Sequence, residues 1–136
     1  AVGEPVWVRD DVVYAIHLRQ LREHGGAEGV RDGGLVESAL GRRRNLWADG
    51  EPQPDLAALA AAYAFGIVRN HPFVDGNERT GFVVLRTFLL INGHDLKATP
   101  GDKYTTVLAL ASGELSEARL AEWIRLRLVT REGGQA

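Results

Sequence analysis

Residues 71–79 bring together side chains that suit chemistry on phosphate groups. Histidine titrates near neutral pH, so the imidazole of His71 can take a proton from a hydroxyl. The carboxylate of Asp75 is a hard oxygen ligand for Mg²⁺, which proteins usually hold with one or two carboxylates and the phosphates of a substrate. The guanidinium of Arg79 is a planar cation that matches phosphate oxygens. A base, a metal ligand and an anion contact so close together predict phosphate chemistry.

The backbone around this stretch is predicted to hold it between the ends of two helices. Proline disfavours the α conformation of the residue before it, so Pro72 predicts that the preceding helix stops at about Asn70 and leaves His71 on a loop. The next helix is expected to begin near Asn77. Its first N–H groups and the positive end of its dipole then face back into the loop, which makes an anion site.

Two apolar runs flank the loop and predict buried helices. The first, residues 56–68, is rich in alanine and follows Asp55, which is placed to cap it. The second, residues 82–91, lies in a helix predicted for residues 77–92, which Gly93 ends. Two mostly buried helices joined by one polar loop form a rigid frame, which is what a site with fixed geometry needs.

The other elements are predicted to be further helices and one flap, so the fold class is all-α. The lead-in at 6–8 is a short strand or extended chain, and a helix capped by Asp10 or Asp11 then reaches about His24. A short helix capped near Asp32 spans 35–43. Later in the chain, one helix starts at Thr99 and runs through Leu110, and Ser116 caps a last helix from 117 to about 129. Glycines in residues 25–34 permit a hairpin or a flap. The tail at 131–136 is expected to be frayed, and residues 1–136 are expected to form one domain.

Composition excludes several classes of protein. The 136 residues contain no cysteine, which excludes disulfide scaffolds, zinc fingers and thiol catalysis. The net charge of −2 gives no global attraction to nucleic acid, and the three arginines at 42–44 are interpreted as solvated surface before a partner contact. The longest apolar run has thirteen residues, short of the roughly 18 of a membrane helix, and no signal peptide is expected. We therefore expect a cytoplasmic protein without membrane or nucleic-acid partners.

Several of these residues also have structural explanations. Asp75 and Glu78 lie three positions apart at a predicted helix start, which is the spacing of a capping box. Phe73 is predicted to anchor the loop in the core and is given no chemistry. Asn77 either caps the helix or holds a phosphate. The neighbouring His71 and Arg79 favour a catalytic site over a helix cap, because a cap needs neither residue.

The remaining histidines have weaker claims to chemistry. His94 and Asp95 are adjacent, like the paired ligands of HD-type metal phosphohydrolases. In those enzymes the pair lies on a helix, whereas here it follows a glycine that ends the predicted helix. His17 in mid-helix and His24 in a last helical turn have no metal-ligand spacing between them and are given no role.

The stretch resembles the signature of the Fic/Doc family, written H-x-F-x-D/E-G-N-x-R. The matching positions are His71, Phe73, Asp75, Gly76, Asn77 and Arg79. A second block, residues 29–40, is similar to the segment that precedes the signature in the Doc (death-on-curing) branch. Phe82 stands where many Fic proteins carry an arginine, which also resembles Doc. The resemblance implies a Fic-type helical bundle with a flap over the active-site loop.

The resemblance further implies a transferase that acts on a hydroxyl side chain of a target protein. In the Doc branch the group is a phosphate from ATP and the target a translation factor, whereas other Fic proteins usually transfer AMP. His71 would deprotonate the hydroxyl, and Asp75 would hold Mg²⁺ on the phosphates. Gly76, Asn77 and Arg79 would bind the phosphates and neutralise developing charge.

Three more expectations rest on the same resemblance. The flap residues Val30, Arg31 and Asp32 would dock the target by strand addition to an exposed edge. No S/T-x-x-x-E-G/N string occurs, so the blocking element is expected from a small antitoxin protein. Glu78 stands where glycine is usual in AMP-transferring members and lysine in Doc-like members. A binding module that has lost turnover is therefore a further alternative.

Overall fold

A computed structural model describes residues 3–131, which form six helices and a small two-stranded antiparallel sheet. In chain order the elements are α1 (Asp10–His24), α2 (Gly33–Asp49), α3 (Leu56–Asn70), α4 (Asn77–Ile91), β1 (His94–Leu96), α5 (Pro100–Ser112), α6 (Glu117–Arg127) and β2 (Leu128–Thr130). The predicted helical fold class is confirmed, and the small sheet is an addition that the sequence did not indicate.

Helix α3 is the central element and is buried on nearly all sides. It packs against α2, α4 and α6, and its small residues let those helices come close. A Cβ at Gly66 would lie 2.9 Å from the backbone oxygen of Ala39 on α2, so only glycine fits this crossing. Although α3 is strongly apolar, neither it nor any other helix within residues 3–131 has the length and apolar character needed to cross a membrane.

Predicted caps fix the starts of four helices. Asp32, Asp55, Thr99 and Ser116 each accept a hydrogen bond from a backbone N–H two or three residues further on, at 2.8 to 3.1 Å. Each bond satisfies one of the free donors at a helix start, which explains why these boundaries follow from local sequence.

Helix α1 begins without such a cap. Arg9 is its N-cap residue and makes no side-chain cap bond, so the prediction that Asp10 or Asp11 caps it was wrong. The Asp10 carboxylate accepts from the buried Arg43 guanidinium at 3.2 Å, and that of Asp11 pairs with Arg9 at 2.7 Å. Both carboxylates are engaged with arginines, which is why neither turns back to the helix start.

Two helices differ in length from the prediction. Helix α2 extends to Asp49 and not to about residue 43, and Gly50 is the C-cap residue at its end. Helix α6 stops at Arg127, since the next three residues pair antiparallel with β1, with His94 opposite Thr130. This pairing joins residues far apart in the chain, so helix periodicity could not reveal it.

Both ends of the described chain are held by residues after α4. The backbone N–H and C=O of Val6 bond to the Asn92 side chain, each at 2.9 Å, so the lead-in is extended chain and not a strand. Arg131 donates its N–H to the Gly93 carbonyl at 2.9 Å, so the tail begins attached. The rest of the predicted frayed tail, residues 132–136, lies outside the described residues.

Candidate active site

The loop between α3 and α4 begins with a sharp turn at His71. This residue has φ 48° and ψ 58°, and it is the only non-glycine residue with positive φ in the described part of the chain. Its N–H still bonds to the Ile67 carbonyl at 3.2 Å, and the left-handed turn then leads into Pro72. The predicted helix stop at Asn70 is confirmed, and the imidazole of His71 is exposed.

Asn77, the first residue of α4, fastens this loop from inside. Its Oδ1 accepts from the Phe73 N–H at 3.1 Å, and its Nδ2 donates to the Phe73 carbonyl at 3.0 Å. The side chain is only 3% exposed. Asn77 therefore orders the loop backbone with its side chain and faces away from solvent.

The same amide also faces the His71 ring. Because Phe73 N–H fixes which end of the amide is oxygen, Nδ2 is the atom that faces His71, at 3.3 Å from Nδ1. Because an amide nitrogen can only donate, this contact favours the tautomer of the neutral ring in which Nδ1 accepts and Nε2 carries the proton. The contact is long for a hydrogen bond.

Asp75 holds its carboxylate on the exposed side of the loop. Oδ1 accepts from the Gly76 N–H at 2.8 Å, and Oδ2 accepts from the Ala27 N–H of the flap at 3.3 Å. The flap comes so close here that a Cβ at Gly26 would lie 2.9 Å from Oδ2. The carboxylate is thus oriented by two backbone amides and retains free acceptor positions on both oxygens.

The amino end of α4 is open. Gly76 precedes it with φ 75° and gives no side-chain cap, and the first intrahelical bond runs from Thr80 N–H to the Gly76 carbonyl. The amides of Asn77, Glu78 and Arg79 have no partner within residues 3–131. Arg79 is exposed and Glu78 half-buried, and no ion pair within the described chain engages either of them. Free donors, a helix dipole and a guanidinium together favour an anion.

A cleft of about 480 Å³ lies against this helix end. Its polar wall contains Asp75, Gly76, Glu78 and Arg79, which the sequence singled out. Its other walls are Gln20, His24, Phe82, Val83, Lys103, Tyr104, Val107 and Leu108. His71 is not among the residues that line the cleft. The cleft is large enough for a small ligand such as a nucleotide.

The buried side chain of His17 on α1 contacts the loop and stabilises it, a role that the sequence did not predict. It is 3% exposed, and its Nε2 lies 2.8 Å from the Asp75 carbonyl oxygen. Its ring stacks on Phe73 at 3.9 Å, which confirms Phe73 as a buried anchor. The available signal was its spacing: Val13, His17 and Leu21 are four residues apart, and these are the buried positions of α1.

The flap follows α1 and lies beside the loop. It forms no hairpin of its own within the described chain, and its one β-bridge pairs Val30 with Phe73. Arg31 N–H donates to the Pro72 carbonyl at 2.8 Å, and Val74 N–H donates to the Gly29 carbonyl at 3.0 Å. In this pattern the N–H and C=O of Val30 point away from the loop, and neither has a partner in residues 3–131.

The other two flap residues are engaged internally. Asp32 caps α2, and the Arg31 guanidinium donates to the carbonyls of His71 and Asn70, each at 2.7 Å. Of the predicted docking residues, only Val30 presents free backbone and an exposed side chain.

His94 and Asp95 do not form a metal site. Asp95 accepts two hydrogen bonds from Arg86, at 3.0 and 3.1 Å, and this guanidinium holds the pKa of the Asp95 carboxyl below its usual value. His94 Nδ1 lies 2.9 Å from the Asn92 carbonyl oxygen. No group of three or more histidine or acidic side chains within residues 3–131 is arranged to hold a metal. The HD-type alternative has no support in this geometry.

Comparison with known proteins identifies one matching family and similar proteins. Residues 7–89 match the model of the Fic/DOC family. The chain is 42% identical over 90 residues to "Toxin Doc" of Mycolicibacterium smegmatis, an alignment that covers 66% of each protein. It is 31% identical over 118 residues to "Protein kinase doc" of Escherichia phage P1, covering 87% of this chain and 92% of that protein.

Proposed function

Since the chain belongs to the Fic/DOC family, we propose that it is a Doc-like, toxin-type transferase. It moves the γ-phosphate of ATP to a hydroxyl side chain of a target protein, with a translation factor as the candidate target. One observation carries the proposal: an exposed histidine stands just before an uncapped helix end that opens into a cleft beside Asp75 and Arg79. The similarity to a relative named a protein kinase favours phosphate over AMP as the group transferred.

The proposed step exchanges one P–O bond for another. The target hydroxyl oxygen attacks the γ-phosphorus, the bond from that phosphorus to the bridging oxygen breaks, and ADP leaves. His71 takes the hydroxyl proton. Arg79 and the free amides of the first turn of α4 bind the phosphate oxygens on which charge develops. Positioning and electrostatic stabilisation of this kind supply most of the catalysis in phosphoryl transfer.

The resting His71 ring has to change before it can act. Its unprotonated nitrogen, Nδ1, faces Asn77, so a target hydroxyl reaches a basic nitrogen only after that contact opens or the ring exchanges its proton with solvent. Because the contact is a long neutral hydrogen bond, opening it costs about 1 kcal/mol or less. Asn77 is thus proposed to order the loop and to orient the imidazole between turnovers.

Mg²⁺ fits the donor set at Asp75. An exposed carboxylate with free acceptor positions, already oriented by the Gly76 amide, matches an ion that takes one or two carboxylates and completes its shell with phosphates and water. Asp75 would hold the ion, which when bound neutralises charge on the phosphates. Gly76, with no side chain, leaves the amide end of α4 open to them.

The outer edge of the flap is the proposed docking place for the target. The N–H and C=O of Val30 have no partner within the described chain, and its side chain is 44% exposed. An extended target segment can add to this edge as a strand, with the loop backbone already paired on the other side. A hydroxyl on that segment would then lie next to the His71 side of the loop.

The proposed partner that controls the activity is a small antitoxin protein. The name of one relative, "Toxin Doc", supports this. Expression of the chain alone is expected to arrest growth, and co-expression of a small protein encoded next to it is expected to relieve the arrest and to co-purify. A chain that is harmless alone and binds no such protein would contradict the proposal.

Labelled ATP tests the transfer itself. The purified protein is incubated with Mg²⁺ and a cell extract, using ATP labelled at the α or at the γ phosphate. Label in protein from the γ position alone is expected. Label from the α position would mean AMP transfer, and no label from either would favour the inert binding module suggested by Glu78 in the cleft. His71→Ala is expected to abolish labelling and leave the unfolding transition unchanged.

A further inference from the structure

Arg31 joins the flap to the candidate catalytic loop more tightly than any other flap residue described. Its N–H donates to the Pro72 carbonyl at 2.8 Å. Its Nε donates to the His71 carbonyl at 2.7 Å, and its Nη2 donates to the Asn70 carbonyl at 2.7 Å. One side chain therefore spans the peptide groups on both sides of the His71 Cα.

A cation is electrostatically favourable next to these carbonyls. The last carbonyls of a helix have no intrahelical partner and lie at the negative end of the helix dipole. A guanidinium has a rigid set of donors, so two bonds to successive carbonyls fix their relative orientation. Arg31 thus caps α3 with a side chain from a distant segment of the chain.

His71, whose carbonyl Arg31 binds, also has an unfavourable backbone conformation. A non-glycine residue in the left-handed region costs about 1–2 kcal/mol, and His71 has φ 48°. The bond from Arg31 Nε holds the carbonyl whose direction is set by the ψ angle of His71. Loss of that bond leaves the backbone of His71 free to relax and carries the imidazole with it.

The flap segment that bears Arg31 is itself held at both ends. Ala27 N–H bonds to the Asp75 carboxylate on one side, and Asp32 caps α2 on the other. Between them lies Val30, with its free outward edge. This free edge is therefore directly next to Arg31 in the chain.

We propose that Arg31 is a positioning residue: it sets the backbone conformation of His71 and so makes the placement of the base depend on an ordered flap. This inference rests on the proposed function. Arg31 acts through His71 and does not touch the nucleotide.

Two variants and one control test this. Arg31→Ala removes both carbonyl bonds, whereas Arg31→Lys keeps the charge but not the planar fork. Arg119→Ala, an exposed arginine on α6, is the matched control. With γ-labelled ATP, Mg²⁺ and a cell extract, the maximal labelling rate of Arg31→Ala is expected to fall about tenfold to hundredfold, as for an approximately 1 Å displacement of a reacting group.

The apparent KM for ATP is expected to stay within about twofold of wild type, since the phosphate site is intact. Arg31→Lys is expected to be intermediate, and low millimolar guanidinium is expected to restore part of the rate to Arg31→Ala. A wild-type maximal rate in both variants would overturn the proposal. So would a change confined to the KM for ATP. If Arg31→Ala does not fold, the rate of Arg31→Lys decides.

Amide hydrogen exchange separates this inference from the proposed function, because it needs no substrate. Peptides that cover residues 67–73 are expected to exchange faster in Arg31→Ala, with the remaining helices unchanged. Unaltered exchange there would overturn the positioning role. If the wild-type protein transfers no label, the proposed function fails. The exchange result still tests whether Arg31 holds the backbone of His71.

Discussion

His17 stacks on Phe73 with ring centroids 3.9 Å apart and 12° between the ring planes, and it directs Nε2 at the Asp75 carbonyl 2.8 Å away. One buried side chain of α1 thus holds the loop at two points. The two residues that it contacts, Phe73 and Asp75, lie on either side of the exposed Val74. A site whose groups have to be held in place is better supported by such a packed ring than by the loop alone.

Two substitutions separate the stacking of His17 from its hydrogen bond. His17→Phe keeps a ring against Phe73 and leaves the Asp75 carbonyl without its donor, so the free energy of unfolding should fall by about 1–3 kcal/mol. His17→Ala also loses the packing and should fall further, by about 3–5 kcal/mol in all. Urea unfolding monitored by circular dichroism measures both. Equal stability of His17→Phe and wild type would show that the hydrogen bond contributes nothing.

Two helical glycines are expected to respond to alanine with opposite signs. A Cβ at Gly81 on α4 would lie 2.5 Å from Cγ2 of the fully buried Val68, so Gly81→Ala should destabilise by about 1–3 kcal/mol. A Cβ at Gly41 on α2 meets nothing within 4 Å, so Gly41→Ala should stabilise by about 0.5–1 kcal/mol. Thermal unfolding of both variants checks this, and stabilisation by Gly81→Ala would contradict the close packing of α4 on α3.

Two carboxylates of the cleft are expected to affect nucleotide binding in opposite directions. Glu78 lines the cleft and is not the proposed metal ligand, so Glu78→Gln should remove repulsion and tighten binding of Mg²⁺·ATP by about threefold to tenfold. Asp75→Asn removes the proposed metal ligand and should weaken it. Titration calorimetry with and without Mg²⁺ measures both, with Glu37→Gln on α2 as control. Weaker binding in Glu78→Gln would mean that this carboxylate takes part in holding the ion.

The ion pair between Asp55 and Arg125 is expected to make stability depend on acid pH. Arg125 donates to both carboxylate oxygens, at 2.6 and 2.9 Å, and so holds the pKa of Asp55 below its usual value. A lowered folded-state pKa stabilises the fold above the unfolded pKa of about 3.9, and this is lost as pH falls through the folded value.

Arg125→Leu tests that pair. Because both side chains are about half exposed, the loss at pH 7 should be only about 0.5–1 kcal/mol. The difference from wild type should shrink below about pH 4 and disappear once Asp55 is protonated in both proteins. Arg119→Leu on the same helix should show no such trend. A difference that stays constant down to pH 2 would mean that the effect of Arg125 is packing and not charge.

Local sequence accounts for the helix boundaries around the site. Pro72 stops α3 at Asn70 through a steric clash with its neighbour, and side-chain caps such as Asp55 and Ser116 act within three residues. The open amino end of α4 after Gly76 follows from the same short-range rules. All-α architecture and the membership of the family could be predicted, because they depend on periodicity and on one contiguous motif.

What tertiary structure decided lies in contacts between distant segments. His17 is an ordinary helical residue until α1 packs on the loop, and Arg31 becomes a cap for α3 only because the flap pairs with Phe73. The pairing of β1 with β2 and the direction of the Asn77 amide toward His71 are of the same kind. The sequence by itself determined which residues stand at the site and where its two helices end, since those depend on neighbours along the chain. Only folding decided which of them face the cleft and which hold the others in place, since packing and hydrogen bonding act through space.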